Sequence, residues 1–248
     1  MNRSGKKHIL ITGGTKGIGY AVAFVMAREG YDLLLTYSTD ESAAADVQRK
    51  LKDLFSAEVV LLRADVSEKA SVGKIASALR DMGTTLDAVV FNAGLTCRKQ
   101  LETIEDDEWE RVFFGNVHFP VFLLREMLGG ELLRRGGSVA FTGSSMGEYP
   151  HSVSLAYGVG KSAVHALVKN LVKFLAPYDI RVNAVAPGFV DTDWQKSKPE
   201  DIRASIAGKI SLKRFCRPEE IAELYLTLIE HPYLNGSIIP VDGGYSYR

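Results

Sequence analysis

The chain has 248 residues, of which 46% are hydrophobic and 24% charged, an ordinary balance for a globular protein. Lysine plus arginine equals aspartate plus glutamate at 30 each, so net charge favours neither nucleic acid nor an anionic membrane as a partner. No apolar run is long enough to span a bilayer, and the two cysteines lie far apart, so we expect a soluble cytoplasmic protein without a disulfide framework.

Seven short apolar runs predict seven strands. They cover residues 8–12, 32–36, 59–62, 88–91, 138–142, 181–185 and 237–241. Most of these runs have no polar alternation, which is typical of parallel strands that are buried on both faces.

Helical patterns separate the strands. They cover residues 17–29, 40–55, 69–81, 106–133, 155–175 and 218–230. The alternation predicts an α/β fold, a single Rossmann-type doubly wound parallel sheet with helices on both faces. No linker interrupts the pattern, so we predict one domain over residues 1–248. A polar stretch with no strand signal, broken by Pro199 and Gly208, predicts a substrate loop around residues 189–217.

The first strand is followed by TGGTKGIG, residues 12–19. Its glycines have the spacing G-x-x-x-G-x-G, with Gly13, Gly17 and Gly19 at the turn from strand to helix. Glycine lets phosphate approach the backbone there, and the helix N-terminus offers unpaired N–H groups to a pyrophosphate. The alternative is an ordinary glycine-rich turn.

Three later motifs fall at the same edge of the predicted sheet. Asn92-Ala93-Gly94 ends the fourth strand, and Ser144 follows the fifth. Tyr157 and Lys161 are one turn apart on one face of the helix predicted for residues 155–175. A tyrosine and a lysine at this spacing are weak evidence alone, but the order of all the motifs is hard to obtain by chance.

In this order the motifs resemble the short-chain dehydrogenase/reductase family over essentially the whole chain. The matching pieces are TGGTKGIG, Asp65, Asn92-Ala93-Gly94, Asn116, Ser144, Tyr157 with Lys161, Pro187-Gly188 with Thr192, and Val241-Asp-Gly-Gly244. The resemblance implies an NAD(P)-binding catalytic domain that transfers a hydride between a nicotinamide and a carbonyl carbon without a metal. It is strongest to members that reduce 3-oxoacyl groups on acyl carrier protein, in fatty acid biosynthesis.

The resemblance implies four catalytic residues. Tyr157 is the general acid/base, and the Lys161 cation should lower the tyrosine pKa from its usual value near 10. Ser144 donates a hydrogen bond to the substrate oxygen, with Ser145 as an open alternative, and Asn116 holds a water behind Lys161. The structural alternatives are a helix cap for Ser144 and for Thr192, and a bent helix satisfied by Asn116.

The resemblance also implies which residues contact the cofactor. The glycine loop would meet the pyrophosphate, the end of the third strand the adenine, the end of the fourth strand the ribose, and the segment after the sixth strand the nicotinamide carboxamide. In chain order these residues are Gly13, Thr15, Lys16, Gly17, Ile18, Gly19, Asp65, Val66, Asn92, Gly94, Tyr157, Lys161, Pro187, Gly188, Val190 and Thr192.

The second strand predicts which dinucleotide is preferred. An acid at its end would accept from the ribose 2′-hydroxyl of NAD. Here the strand ends Thr36-Tyr37-Ser38 without one, and Lys16 in the glycine loop can face a 2′-phosphate. We expect a preference for NADP(H), with NAD(H) possible. A solvated surface lysine is the alternative.

The two long helices suggest oligomerisation. A stripe of Val164, Leu167, Val168, Leu171 and Leu175 exceeds what one sheet face needs, although part of it can be core. Because related proteins pair these helices between subunits, we expect a homotetramer.

The substrate is the least determined feature. Arg134 and Arg135 match one basic position through which related reductases meet an acidic carrier protein, but the second falls on Tyr178. A helix C-terminus that favours cations explains the arginines equally well. A dehydrogenase of a sugar, polyol or steroid alcohol is the alternative enzyme, and a nucleotide-binding regulator without catalysis is the alternative class.

Overall fold

All seven predicted strands are present in the structure, a computed structural model that describes residues 5–247. They are β1 Lys7–Ile11, β2 Tyr31–Tyr37, β3 Val59–Arg63, β4 Leu86–Phe91, β5 Leu133–Thr142, β6 Arg181–Pro187 and β7 Ile238–Val241. All pairings are parallel, in the order β3-β2-β1-β4-β5-β6-β7. The strand order reverses between β1 and β4, so the doubly wound fold is confirmed.

Nine α-helices connect the strands of the described chain. They are α1 Gly17–Arg28, α2 Glu41–Phe55, α3 Ala70–Asp81, α4 Asp106–Phe113, α5 Phe119–Gly129, α6 Leu155–Leu175, α7 Asp193–Lys196, α8 Glu200–Lys209 and α9 Pro218–Glu230. Residues 1–4 and 248, the ends of the predicted domain 1–248, lie outside the described residues.

The sheet buries both of its faces. In β1, Ile9 and Ile11 pack into one core with residues of α1, α2 and α9, whereas Leu10 packs into a second core with residues of α3, α5 and α6. Successive side chains of a strand point to opposite faces, so one apolar run supplies two cores. This explains why the strands lack polar alternation.

The stripe on α6 belongs to the second of these cores. Val164, Val168 and Leu175 are buried in it, and Leu167 and Leu171 pack against it. The stripe is therefore core, which was the alternative to a subunit interface. The large apolar side chains that α6 exposes are Leu155 and Val159 in its first turns and, most exposed at 73%, Phe174 near its end.

The helix predicted for residues 106–133 is wrong in its length and continuity. Helix α4 ends at Phe113, a π-helical segment runs over Phe114–His118, and α5 ends at Gly129. Gly129 and Gly130 stop the helix, Glu131 takes a left-handed conformation with φ of 54°, and β5 has begun by residue 133.

The polar stretch after β6 contains two helices, α7 and α8, that its composition did not predict. It is fastened at both ends, because Val190 pairs with Cys216 and Phe189 packs with Ile210 and Phe215 in a small separate core. Arg203 binds Asp191 at 3.0 Å and stacks over the Phe215 ring. None of the helices between residues 5 and 247 has the length and apolar character needed to cross a membrane.

Candidate active site

A cavity of about 1140 Å³ opens at the carboxyl ends of β1, β4, β5 and β6. Parallel strands bring these ends to one edge of the sheet. The predicted site residues that line the cavity are Gly13, Lys16, Gly17, Ile18, Asp65, Val66, Asn92, Gly94, Ser144, Tyr157, Lys161, Pro187, Gly188, Val190 and Thr192. Thr15, Gly19 and Asn116 are buried and do not line the cavity.

The glycine loop has the shape that its sequence predicts. Gly13 and Gly17 have φ of 63° and 52°, in the left-handed region that favours glycine. Gly17 and Ile18 begin α1 and line the cavity, so the N-terminal end of this helix, with its first-turn amides that lack helical partners, lies at the cavity wall. A Cβ on Gly19 would lie 2.1 Å from the Gly13 carbonyl oxygen. Gly19 therefore lets α1 pack against the loop instead of forming the cavity wall.

Asn92 holds three strand ends together. Its Nδ2 donates to the carbonyl oxygens of Thr12 at 3.1 Å and Gly13 at 3.3 Å. Its Oδ1 accepts from Thr142 Oγ1 at 3.3 Å. The side chain thus joins the ends of β1, β4 and β5 beside the cavity.

The outer parts of the cavity come from β3 and β6. Asp65 is fixed by the Ser67 amide, which donates to its Oδ1 at 2.8 Å. Gly188 follows β6, where a Cβ would lie 2.8 Å from the Asp242 Cα. Thr192 is the N-cap residue of α7, but its side chain makes no capping bond, and its methyl would lie 3.1 Å from a Cβ on Gly17. Thr192 therefore covers the glycine loop.

Ser144, Tyr157 and Lys161 form one group at the centre of the cavity wall. Tyr157 hydrogen-bonds with Ser144, and Lys161 Nζ lies 5.5 Å from the centre of the tyrosine ring. Lys161 is 4% exposed, and its Nζ donates to the Thr142 carbonyl oxygen at 2.6 Å. Ser144 Oγ also accepts from the Met146 amide at 3.1 Å, so its capping role exists beside the contact with Tyr157. Ser145 lies outside this cavity wall.

The predicted direction of the Tyr157 pKa shift is wrong. Burial raises the Tyr157 pKa above its ordinary value of 10.0, and the hydrogen bond with Ser144 opposes this rise only in part. Burial also lowers the pKa of Lys161 to about 8. Desolvation disfavours the charged form of either group, and here it outweighs the attraction that spacing alone suggested.

Asn116 supports the site from the π-helical segment. Its Nδ2 donates to the carbonyl oxygens of Leu95 and Val112, both at 2.8 Å. Its Oδ1 accepts from the Leu95 amide at 3.3 Å, and a Cβ on Gly94 would lie 2.5 Å from that oxygen. The side chain thus satisfies an interrupted helix, as its structural alternative proposed. Its role toward a water remains a prediction.

Several lining residues were missed by the sequence reasoning. The Trp194 ring lies 6.1 Å from that of Tyr157. Arg98, Lys198 and Lys209 add positive charge to the wall near apolar side chains such as Ile202. Their signal was weak because they occupy loops and the segment around α8, where composition alone indicates only a loop.

The two arginines proposed for carrier docking lie at the opposite edge of the sheet. Both are in the first residues of β5, and Arg134 pairs with Asp87 at 2.9 Å. Arg135 lies in the irregular first part of β5, and the regular part from Ser138 to Thr142 separates it from the cavity end by roughly 13 Å of strand. This separation does not favour docking of a carrier there for delivery to the cavity of the same chain.

Comparisons with known proteins give consistent matches along the chain. Residues 13–246 match a family model described as enoyl-(acyl carrier protein) reductase. The uncharacterized oxidoreductase YmfI of Bacillus subtilis is 34% identical over 241 residues, 96% of this chain and 98% of the relative. The 3-oxoacyl-(acyl-carrier-protein) reductase FabG of Thermotoga maritima is 30% identical over 96% of this chain and 97% of its own length. A solved short-chain dehydrogenase of Burkholderia cenocepacia, in complex with NADP, has a TM-score of 0.90 and 25% identity, and the match covers 99% of this chain and 100% of that one.

The burial of Lys161 predicts a dependence of stability on pH. Its pKa is about 8 in the folded chain against 10.5 as the ordinary value. The unfolded chain therefore binds more protons between these pH values, and stability rises with pH across that window. The free energy of unfolding of the wild type, relative to Lys161→Met, should increase by about 3 kcal/mol from pH 8 to 10.5.

Urea unfolding at several pH values measures this difference. Lys161→Arg, which stays charged throughout, is the matched control and should show the same pH dependence as Lys161→Met. Parallel curves for the wild type and Lys161→Met would show that burial does not shift this group.

Proposed function

This chain belongs to the short-chain dehydrogenase/reductase family of NAD(P)-dependent oxidoreductases, and we propose that it reduces 3-oxoacyl thioesters to 3-hydroxyacyl thioesters with NADPH. The observation that carries the proposal is the group of buried Ser144, half-buried Tyr157 and buried Lys161 on a cavity with room for both a dinucleotide and an acyl chain. We assign this activity to the cytoplasm and to fatty acid biosynthesis.

The described residues fit a dinucleotide. Gly13 and Gly17 leave space beside the start of α1, whose first residues line the cavity. The cavity volume of about 1140 Å³ lies above the usual range for a site that holds one small ligand. Once bound, the nicotinamide supplies the hydride for the carbonyl carbon.

The protein's part of the reaction is to handle a proton at the substrate oxygen. Ser144 donates a hydrogen bond to that oxygen and stabilises negative charge as it develops. Tyr157 gives its proton to the same oxygen. Its raised pKa keeps the phenol protonated at neutral pH, which suits an acid in the reducing direction. Lys161 holds the ribose hydroxyls and places positive charge near the tyrosinate that forms.

The composition of the cavity wall supports a thioester substrate. Apolar side chains, among them Met146, Trp194 and Ile202, can bury an acyl chain, and Arg98 and Lys198 stand beside them. Lys198 donates to the Gln195 amide oxygen at 2.6 Å. Burial and then the charge of Arg98 lower the pKa of Lys198. Two neighbouring cations suit an anion, and the phosphate of a phosphopantetheine arm supplies one on an acyl thioester.

A preference for NADPH has support at the end of β2. Tyr37 and Ser38 line the cavity there, and Lys16 reaches the same region. Lys16 pairs with Asp40 at 2.5 Å, and this bond is the main reason that the pKa of Asp40 falls to about 2. The pair is exposed to solvent, so a 2′-phosphate can recruit Lys16 at little cost. The Burkholderia cenocepacia structure was solved in complex with NADP.

The ratio of kcat/KM for NADPH to that for NADH tests this preference. We expect a ratio above one, and Lys16→Ala should lower it about tenfold because a charged hydrogen bond is lost. Asp40→Asn keeps the capping bond from the Ala43 amide and removes the competing charge, so it should raise the ratio. A ratio that favours NADH, or one that is unchanged in Lys16→Ala, would reject the role of Lys16.

A substrate panel tests the activity itself. Acetoacetyl and crotonyl thioesters, simple ketones, and sugars and polyols with the oxidised cofactor are compared in a single assay of NADPH absorbance. We expect reduction of the acetoacetyl thioester, and Tyr157→Phe should lower turnover about a hundredfold or more while dinucleotide binding persists. Turnover of a sugar or polyol alone would establish the alternative dehydrogenase, and crotonyl reduction alone would indicate an enoyl reductase. Activity that survives Tyr157→Phe would show that Tyr157 is not the proton donor.

Recognition of the phosphopantetheine arm can be tested with two substrates that differ by one phosphate. Acetoacetyl-4′-phosphopantetheine should have a kcat/KM about tenfold above that of acetoacetyl-pantetheine, since a charge-assisted contact contributes about 1.4 kcal/mol or more. Arg98→Gln should remove most of this advantage. Arg135→Gln, an exposed cation at the far end of β5, is the matched control and should not.

The same two variants, assayed with acetoacetyl on acyl carrier protein, locate the docking surface. If the phosphorylated substrate keeps its higher kcat/KM in Arg98→Gln, Arg98 does not bind the phosphate of the arm. If Arg135→Gln loses the preference for the carrier-bound substrate, the carrier docks at the start of β5.

We also propose a homotetramer, and the support for it comes from residues outside the α6 stripe. Phe174 near the end of α6 is 73% exposed, and Tyr178 shortly after is 39% exposed. Exposed aromatic side chains at neighbouring positions favour burial against another copy. Light scattering at micromolar concentration should give four times the mass of one chain, and Phe174→Glu should reduce it. A monomer mass for the wild type would contradict the proposal.

A further inference from the structure

His165 extends the row of Tyr157 and Lys161 by one more turn of α6. The three residues have a four-residue spacing, so they share a helix face. His165 is 4% exposed and lies beneath the turn that carries Ser144. None of the catalytic roles above uses this buried imidazole.

The contact between the ring and Ser144 is direct. The Ser144 amide donates to His165 Nε2 with a nitrogen-to-nitrogen distance of 3.4 Å. Ser144 has extended backbone, with φ of −166° and ψ of 149°, and its Oγ is shared with the Met146 amide and Tyr157. A rotation of the Ser144 backbone would move that Oγ away from the substrate oxygen.

The turn is fitted closely around the imidazole. A Cβ on Gly143 would lie 2.5 Å from His165 Nε2, and a Cβ on Gly147 would lie 2.9 Å from Cε1. Glycines on both sides of Ser144 thus let the backbone approach the ring from two directions. An apolar side chain in place of His165 could make the same packing contacts with the turn. The property that distinguishes histidine at this position is therefore its acceptor nitrogen.

The other ring nitrogen indicates the protonation state. Because Nε2 accepts a hydrogen bond, the neutral ring carries its proton on Nδ1. Nδ1 has no hydrogen-bond partner among the described residues, and the nearest carboxylate oxygen, of Glu148, is 3.9 Å away. Burial lowers the His165 pKa, Glu148 opposes the fall, and Lys161 and Lys169 add to it. The ring is therefore neutral at neutral pH and available as an acceptor.

We propose that neutral His165 is a positioning residue, which accepts the Ser144 amide hydrogen and so fixes the serine hydroxyl toward the substrate oxygen. The inference rests on the proposed reductase activity for its chemistry, since it needs a carbonyl substrate held by Ser144. It does not depend on which carbonyl compound that is.

Two substitutions at the same position separate positioning from packing. His165→Leu fills the space without an acceptor and should lower kcat about tenfold, while the KM for NADPH changes less than twofold. His165→Gln has an amide oxygen that can reach the position of Nε2, and it should restore most of the kcat. Glu148→Gln removes the neighbouring carboxylate and leaves the Ser144 contact intact, so it should behave as wild type. Melting temperatures are recorded for each variant.

Equal kcat in His165→Leu and His165→Gln, whether both low or both normal, would overturn the proposal. If His165→Leu does not fold, the pH profile decides. Glu148, Lys161 and Lys169 are the titratable groups that face the ring, and protonation of His165 removes the acceptor. The wild-type kcat should then fall as the pH drops below the ordinary histidine pKa of 6.5, with an acid limb that His165→Gln lacks. A limb that persists in His165→Gln would overturn the proposal.

The assay uses whichever carbonyl substrate the wild type reduces. Turnover of a sugar or simple ketone instead of a thioester would reject the proposed function, and the His165 comparison would proceed with that substrate. A wild type that reduces no carbonyl compound at all would reject both.

Discussion

The site depends on the burial of one lysine ammonium. Lys161 Nζ lies inside the protein and donates to the carbonyl oxygen that ends β5, so α6 is attached to the sheet where the cavity opens. Taking an ammonium out of water is costly, and this cost lowers the pKa of Lys161 to about 8. A carbonyl and a nearby aromatic ring stabilise it only in part. The site therefore favours ligands that bring oxygen atoms or negative charge to Lys161.

Close backbone approach brings the other groups to this lysine. Gly94 leaves room for Asn116 Oδ1 beside Lys161, and Gly19 leaves room for α1 against the Gly13 carbonyl. Asn92 and Asn116 then hold the loops nearest Lys161 through backbone hydrogen bonds, so the ends of β1, β4 and β5 are joined there without a carboxylate. Polar groups without net charge add little field of their own. The electric field around Lys161 is therefore set by this ammonium and by the ligand that binds.

The parts of the fold that could be predicted depend on local pattern, and the parts that could not depend on contacts distant in sequence. Apolar runs of four or five residues sufficed for every strand. The interruption of the helix after Phe113 depends on Asn116 reaching Leu95, which no periodicity records. Helix α8 was missed because its few apolar residues, such as Ile206, face a small separate core. Spacing correctly brought Tyr157 and Lys161 together but misjudged the pKa of Tyr157, because spacing does not report burial.

Desolvation acts in a consistent direction along one face of α6. It raises the pKa of Tyr157 and lowers those of Lys161 and His165, so each group is pushed toward its neutral form. In the proposed reaction, a tyrosine that keeps its proton in the resting site is suited to giving it to an alkoxide. That proposed transfer would turn Tyr157 into an anion next to Lys161, and the attraction between the two charges, absent while the phenol is neutral, would then lower the energy of the products. The burial that raises the Tyr157 pKa in the resting site is thus compatible with proton donation, because the charge pair forms only as the proton leaves.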